Sequence, residues 1–244
     1  MNSSILTGAT GAIAQQKKMD IIANNVAAVN SAGYKPKVAC FAELMQYNMH
    51  NRAEATNSRQ ALVGVKLEKD DTNFAPSGLA ATDSQLDFAI TGDGFFKLRN
   101  PATQEISYTR FGHFIMSKDP SRNNEFYLIT DQGRRVLDAD GQDIMVTLNK
   151  DGQYELSTDV AVYRFAQKNG MLSVGRNEFV PTAKNGEPYL SAESRAVSGY
   201  LEQSGTDVSY EFTKMVEAQR AYSFAIKLIT TSDEVLQTVN QLRN

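Results

Sequence analysis

The stretch from Asp207 to Asn244 constrains this chain more than any other. Read from Val208, apolar residues return at alternating steps of four and three: Val208, Phe212, Met215, Gln219, Tyr222, Ile226, Ile229, Asp233, Leu236. This is the 3.5-residue period of a coiled-coil seam, with only Gln219 and Asp233 polar on it. Glu211, Lys214, Glu217 and Arg220 alternate in sign off the seam, as on a solvated helix face. No Gly or Pro interrupts the run, and Thr206 or Asp207 is placed to cap its start. A long helix cannot bury such a narrow stripe by itself, so the pattern requires a partner.

A matching pattern lies at the other end. The series Ile5, Gly8, Ala12, Gln15, Met19, Ile22, Val26, Val29 steps in the same way, and its small early members would let another helix approach closely. Gly33 is expected at the left-handed C′ position, with Tyr34 at C″ against Val29 and Pro36 preventing continuation. Residues 1–35 and 205–244 are therefore expected to pair as one helical coiled-coil domain. Asn24 and Asn25 fall outside the seam and, with Gln219, are the polar residues available for contacts between subunits; a solvated helix face accounts for each equally well.

Between the helices, 36–75 reads as an extended connector. Val38–Met49 suits a short helix or a strand, His50–Arg59 is polar and aperiodic, and Leu62–Lys69 alternates as a half-buried strand. Residues 76–204 read as an all-β domain, so the expected fold class is α+β. Leu86, Phe88 and Ile90 alternate with polar and small residues, and Gly92-Asp93-Gly94 is expected to reverse the chain as a hairpin turn into Phe95–Leu98. Turn signals recur at Asp131-Gln132-Gly133, Asp140-Gly141, Asp151-Gly152, Asn169-Gly170 and Asn185-Gly186. Short β-rich runs lie between them, and Ser117–Glu125 is an inserted polar loop.

Composition removes several function classes. A net charge of −3 and no basic run longer than Arg134-Arg135 argue against a nucleic-acid surface, and no basic amphipathic helix supports membrane binding. No apolar run approaches the roughly 18 residues of a membrane span. Residues 1–16 lack a basic region followed by a continuous apolar one, so no cleaved secretory signal is expected. The single Cys, Cys40, reads as a small buried residue. Gly92-Asp93-Gly94 lacks the third glycine and the helix of a dinucleotide fingerprint. Asp138–Asp143 fails as a calcium loop because Gly141 falls at position 4, leaving a tight turn. His50 and His113 have no metal-ligand spacing around them. No catalytic residues, cofactor or metal is expected.

Three blocks carry a family resemblance. They are Ala14-Gln15-Gln16 through Ile22-Ala23-Asn24-Asn25-Val26-Ala27 to Gly33-Tyr34-Lys35; Leu86 through Gly92-Asp93-Gly94-Phe95-Phe96 with Tyr108-Thr109-Arg110; and Gly199-Tyr200-Leu201-Glu202-Gln203-Ser204 with Met215 through Tyr222. In this order they resemble the rod and hook family of bacterial flagellar axial proteins. The length and the Ala14–Asp20 start resemble the family's rod members, the distal kind above all. Ala28, Ser204-Gly205-Thr206-Asp207 and the long Ser117–Glu125 segment depart from the usual pattern. The resemblance implies export through the flagellar secretion apparatus without a cleaved signal and assembly of many copies into a helical tube. It also implies residence in the basal-body rod across the periplasmic space, beside neighbouring rod and hook proteins. On this reading Ile5, Met19, Ile22, Val26, Val29, Phe212, Met215, Tyr222, Ile226, Ile229 and Leu236 form the assembly seam. The alternative is a junction or adaptor protein that binds other axial proteins without polymerising; an enzyme carried on the β domain is the remote third reading.

Overall fold

The structure is a computed structural model describing residues 2–46, 61–118, 126–148, 154–175 and 177–243. The expected loop His50–Arg59, the turn at Asp151-Gly152 and the part of Ser117–Glu125 beyond Lys118 lie outside the described residues. Two helices, α1 (Asn2–Ala27) and α2 (Val208–Arg243), bracket a mostly β middle, an α+β arrangement. The chain divides into two compact units, one of residues 1–27, 37–71 and 207–244 and one of residues 28–36 and 72–206.

In the helical unit, α2 starts where Asp207 Oδ1 accepts the backbone N–H groups of Ser209 (2.9 Å) and Tyr210 (3.2 Å), satisfying two orphan donors of the first turn. The two helices pack antiparallel, with Ser4 beside Ser232 and Asn25 beside Glu211. A Cβ on Gly8 would lie 2.8 Å from Ile229 Cγ1 and 3.2 Å from the Ala225 carbonyl oxygen, so only glycine permits this approach. The segment expected as an extended connector forms two long strands, β1 (Lys37–Gln46) and β2 (Ala61–Thr72), which pair with each other and belong to the helical unit. This decides Val38–Met49 in favour of a strand as far as Gln46. Gly64 of β2 sits directly on Thr10 of α1.

The second unit begins with the turns at 28–33, because α1 stops at Ala27 and not near residue 35. Val29, expected on the helical seam, is a half-buried turn residue. Gly33 has the expected left-handed φ of 66°, but it does not cap α1; its N–H donates to the Glu202 carbonyl oxygen at 2.7 Å. The strands that follow are β3 (Leu79–Ala81), β4 (Phe88–Thr91), β5 (Phe96–Arg99), β6 (Ile106–Thr109), β7 (Ile115–Lys118) and β8 (Phe126–Ile129). Next come β9 (Arg135–Val136), β10 (Met145–Leu148), β11 (Tyr154–Leu156), β12 (Tyr163–Arg164) and β13 (Leu172–Gly175). The last are β14 (Glu178–Val180), β15 (Tyr189–Leu190), β16 (Arg195–Ser198) and β17 (Tyr200–Glu202).

The largest sheet among the described residues runs β11-β10-β8-β9-β5-β6-β14-β13, with β7 added to β8; β3 pairs β17, β4 pairs β16 and β12 pairs β15. Gly92-Asp93-Gly94 is therefore not a hairpin turn. β4 and β5 on either side of it never pair, and the segment passes the chain from one sheet to another. Successive side chains on a strand point to opposite faces, so Phe95 and Phe96 serve two different cores. Phe96 packs with Phe88, Leu98, Phe114, Leu128 and Ile144. Phe95 packs with Phe74, Tyr108, Phe165 and Phe179, its ring edge-on to Phe74 at 5.1 Å. Elsewhere the turn chemistry holds: Gly133 and Gly141 take left-handed φ, and Asp138 Oδ1 accepts the N–H groups of Asp140 and Gln142.

Candidate functional site

The centre of the β unit's polar chemistry is the carboxylate of Glu202 on β17. The segments 28–36 and 200–206, which follow α1 and precede α2 in the chain, lie side by side around it. Gly33 N–H donates to the Glu202 carbonyl, and Gly205 N–H donates to the Tyr34 carbonyl at 2.9 Å. Lys35 Nζ reaches Glu202 Oε1 at 2.8 Å and the Ala75 carbonyl at 2.6 Å. Arg110 follows β6 and sends Nε to Glu202 Oε2 at 2.7 Å and Nη2 to Oε1 at 3.3 Å. Ser77 N–H adds another donor to Oε1 at 2.9 Å.

The rest of the Arg110 guanidinium is taken up by the Gly-Asp-Gly segment. Gly94 O accepts from Nη1 at 3.0 Å and Gly92 O from Nη2 at 2.7 Å. This explains a segment that makes no hairpin: its carbonyls wrap a buried cation. All three charged side chains are almost without solvent contact. Two cations share one carboxylate, and burial pulls the Lys35 ammonium below the usual lysine range, partly offset by Glu202. Lys35, the Gly92–Arg110 stretch and Glu202 come from the three blocks of family resemblance, one from each. Nothing in the sequence shows that these distant residues meet. The available signal was an Arg following the alternating strand Ile106–Tyr108 and a Lys held between Gly33 and Pro36, positions where solvated charge is unexpected.

In the helical unit, the less exposed side of α2 is Val208, Glu211, Met215, Ala218, Tyr222, Ala225, Ile229, Ser232 and Leu236. These also step by four and three. The expected seam shares Val208, Met215, Tyr222, Ile229 and Leu236 with this face, while its alternate positions fall one residue away. Phe212 is 52% exposed and Ile226 38%, with Gln219 and Asp233 also exposed, whereas Ala218 has no solvent contact. At these alternate positions the pair turns inward Ala218, Ala225 and Ser232, small residues that let backbones approach, and leaves Phe212 and Ile226 outside. On α1, Ile22 is buried and Ile5, Met19 and Val26 are half-buried. Ser4, Gly8 and Gly11 come close to α2.

Asn25 lies within the helical unit. It is 1% exposed, and its amide is hydrogen-bonded inside its own chain. Its Oδ1 accepts the Lys37 N–H at 2.9 Å, and its Nδ2 donates to the Lys37 carbonyl at 2.8 Å and to Glu211 Oε1 at 2.9 Å. One amide thus joins α1, β1 and α2. Asn24 and Gln219 remain exposed. Burial holds the Glu211 carboxyl above the ordinary glutamate range, against the opposing effect of its bond to Asn25. Among the described residues no His, Cys, Asp and Glu group is arranged to hold a metal, and no helix is long and apolar enough to cross a membrane.

Comparison with known proteins matches three families in chain order. Residues 5–35 match "Flagella basal body rod protein", 89–162 match "Flagellar hook protein FlgE/F/G D1 domain", and 197–242 match "Flagellar basal body rod FlgEFG protein C-terminal". The flagellar basal-body rod protein FlgG of Borreliella burgdorferi is 31% identical over 100% of this chain and 99% of its own length. FlgG of Buchnera aphidicola from Schizaphis graminum is 30% identical over 99% and 100%, and FlgG of Bacillus subtilis 29% over the whole of both chains. The family is structural and not enzymatic. With relatives matched from end to end and the three family blocks meeting at Glu202, this chain belongs to the flagellar rod and hook axial protein family and is most like a basal-body rod protein.

Proposed function

We propose that this protein is a subunit of the flagellar basal-body rod that polymerises through its terminal helices into a helical tube and transmits torque by passive stiffness. The observation that carries this reading is the outer side of α2. Phe212, Val216, Phe224, Ile226, Leu228 and Val235 are exposed there, Phe224 at 70%. A helix of an isolated soluble protein turns polar residues outward, so large apolar side chains left in solvent along one helix mark a protein contact. The antiparallel helix pair acts as a short coiled coil within one subunit, and its outer apolar side chains meet neighbouring copies. Such a contact joins two different surfaces, so it does not close on itself and builds a filament. Exposed Asn24 and Gln219 supply polar contacts at the same interface.

The partners are further copies of this chain, neighbouring rod and hook proteins, and the flagellar export apparatus that delivers it to the periplasmic rod. The test is negative-stain microscopy of concentrated protein beside the variants Phe224→Asp and Ile226→Asp. Wild type should form filaments or rings, while both variants remain folded monomers. Filaments formed equally by all three would refute the assembly surface. A wild type that stays monomeric but binds other axial proteins would favour the adaptor reading.

A further inference from the structure

Among the described residues of the helical unit, Glu211 is the one buried carboxylate, and it has hydrogen-bond partners but no ion-pair partner; the only positive field on it is that of the first turn of α2, in which it sits. It is 7% exposed, and among the described residues no cation lies at ion-pair distance. From α1 it meets the neutral amide of Asn25 at 2.9 Å, and the last turn of α1 carries no basic residue. From β1, Lys37 meets Asn25 through its backbone and sends its ammonium to Asp70 at 2.8 Å. On α2, Asp207 adds a second negative charge nearby, and Lys214 is bound to Glu217 at 3.1 Å. A carboxyl in this setting accepts from Asn25 whether ionised or neutral, but only the neutral form avoids the cost of burying an uncompensated charge.

We propose that Glu211 is a proton-linked latch: docking of α2 onto α1 takes up a proton at this carboxyl, so the helical unit closes more tightly in mild acid. The sign follows from the direction in which burial moves the group. Its docked value lies above its undocked value, so the docked form holds more protons between the two, and the stabilisation is lost as pH rises through that interval. The latch operates within a single chain and holds whether or not the protein polymerises.

The test is hydrogen exchange of α1 and α2 amides in the full chain from pH 4.5 to 7.5, corrected for intrinsic exchange, for wild type and Glu211→Gln. Relative to the variant, wild-type protection should rise on acidification, by at most about tenfold per pH unit for one proton. Glu211→Gln should match or exceed wild type at pH 7.5. A ratio that stays constant over the range overturns the latch, as does a variant less protected at every pH. Carbon-13 titration of the wild-type carboxyl needs no variant: a midpoint above about 4.3, the free glutamate value, is expected, and one at or below it overturns the proposal.

Discussion

Glu202→Gln should destabilise the β unit more than any other single isosteric change in it. The substitution keeps shape and volume but removes the carboxylate that Lys35 and Arg110 share, and both cations are buried with side chains at most 1% exposed. The new amide nitrogen would also present a donor to Arg110 or to Lys35 and Ser77, which are themselves donors. Removing one partner of a buried ion pair costs about 3–5 kcal/mol, since the remaining charge stays buried and uncompensated. That is about a fifth or more of a typical domain's stability of roughly 5–15 kcal/mol. At roughly 4 °C for each kcal/mol in a unit of this size, the melting transition should fall by roughly 12–20 °C. The control is Asp93→Asn, which loses a pair with Lys168 at 2.6 Å whose members are each 30% exposed. An exposed pair contributes at most about 1 kcal/mol. The assay is calorimetry of the full chain with near-ultraviolet dichroism, whose signal comes from Tyr and Phe because the chain has no Trp. If Glu202→Gln melts within about 3 °C of wild type, or Asp93→Asn falls equally far, the cluster does not hold the unit together.

Gly8→Val should separate the helices, because its first carbon alone would lie 2.8 Å from Ile229 Cγ1; overpacking of this kind costs about 1–3 kcal/mol, read as earlier loss of helical dichroism in urea. Ala218→Asp should open the helix pair in the monomer, seen as early proteolysis of both ends, whereas Ile226→Asp, at a 38% exposed position, should leave the monomer's cleavage pattern unchanged. In strong alkali, burial pushes the Tyr108 phenol up to about 12 from an ordinary 10.0. The folded state therefore holds the proton over that window, and stability should fall as pH rises from 10 to 12. Near pH 10, folded wild type should ionise at least two phenols fewer in an ultraviolet titration than the same chain unfolded in urea, because burial pushes Tyr163 up as well; equal counts would contradict the burial.

The period of both helices was legible, and so was their need for each other, because a 3.5-residue repeat is written directly in residue type. The less exposed face of α2 differs from the apolar series by one position at alternate sites. Apolarity favours Phe212 and Ile226, but close helix packing is decided by the smallness of Gly8, Ala218 and Ala225, which an apolar count undervalues. The β-rich middle and most of its turns were legible from Asp-Gly and Asn-Gly signals. Gly92-Asp93-Gly94 carries the residue signal of a reversal without making one. Its glycines serve instead to bring two carbonyls onto the Arg110 guanidinium. The charge cluster itself was invisible, since Lys35, Arg110 and Glu202 are far apart in sequence and a lone charge reads as surface.

Glu202 also explains how helices at opposite ends of the chain find one another. Closing a flexible loop from residue 27 to residue 208 would cost roughly 4–5 kcal/mol from the logarithmic growth of closure entropy with length. In this chain that closure is made by the β unit, where the Tyr34 carbonyl and the Gly205 N–H already meet at 2.9 Å. Once that unit has folded, the segments leading to α1 and α2 start side by side, and the helices associate as if joined by a short connection. The same carboxylate fixes the register. β17 pairs β3 with Glu202 opposite Leu79, and a slip of one residue would turn Glu202 to the other face of the strand and offer Leu201 or Gln203 to Lys35 and Arg110. An apolar substitute for the cluster would pack as well in several registers. Two cations converging on one carboxylate are satisfied in only one.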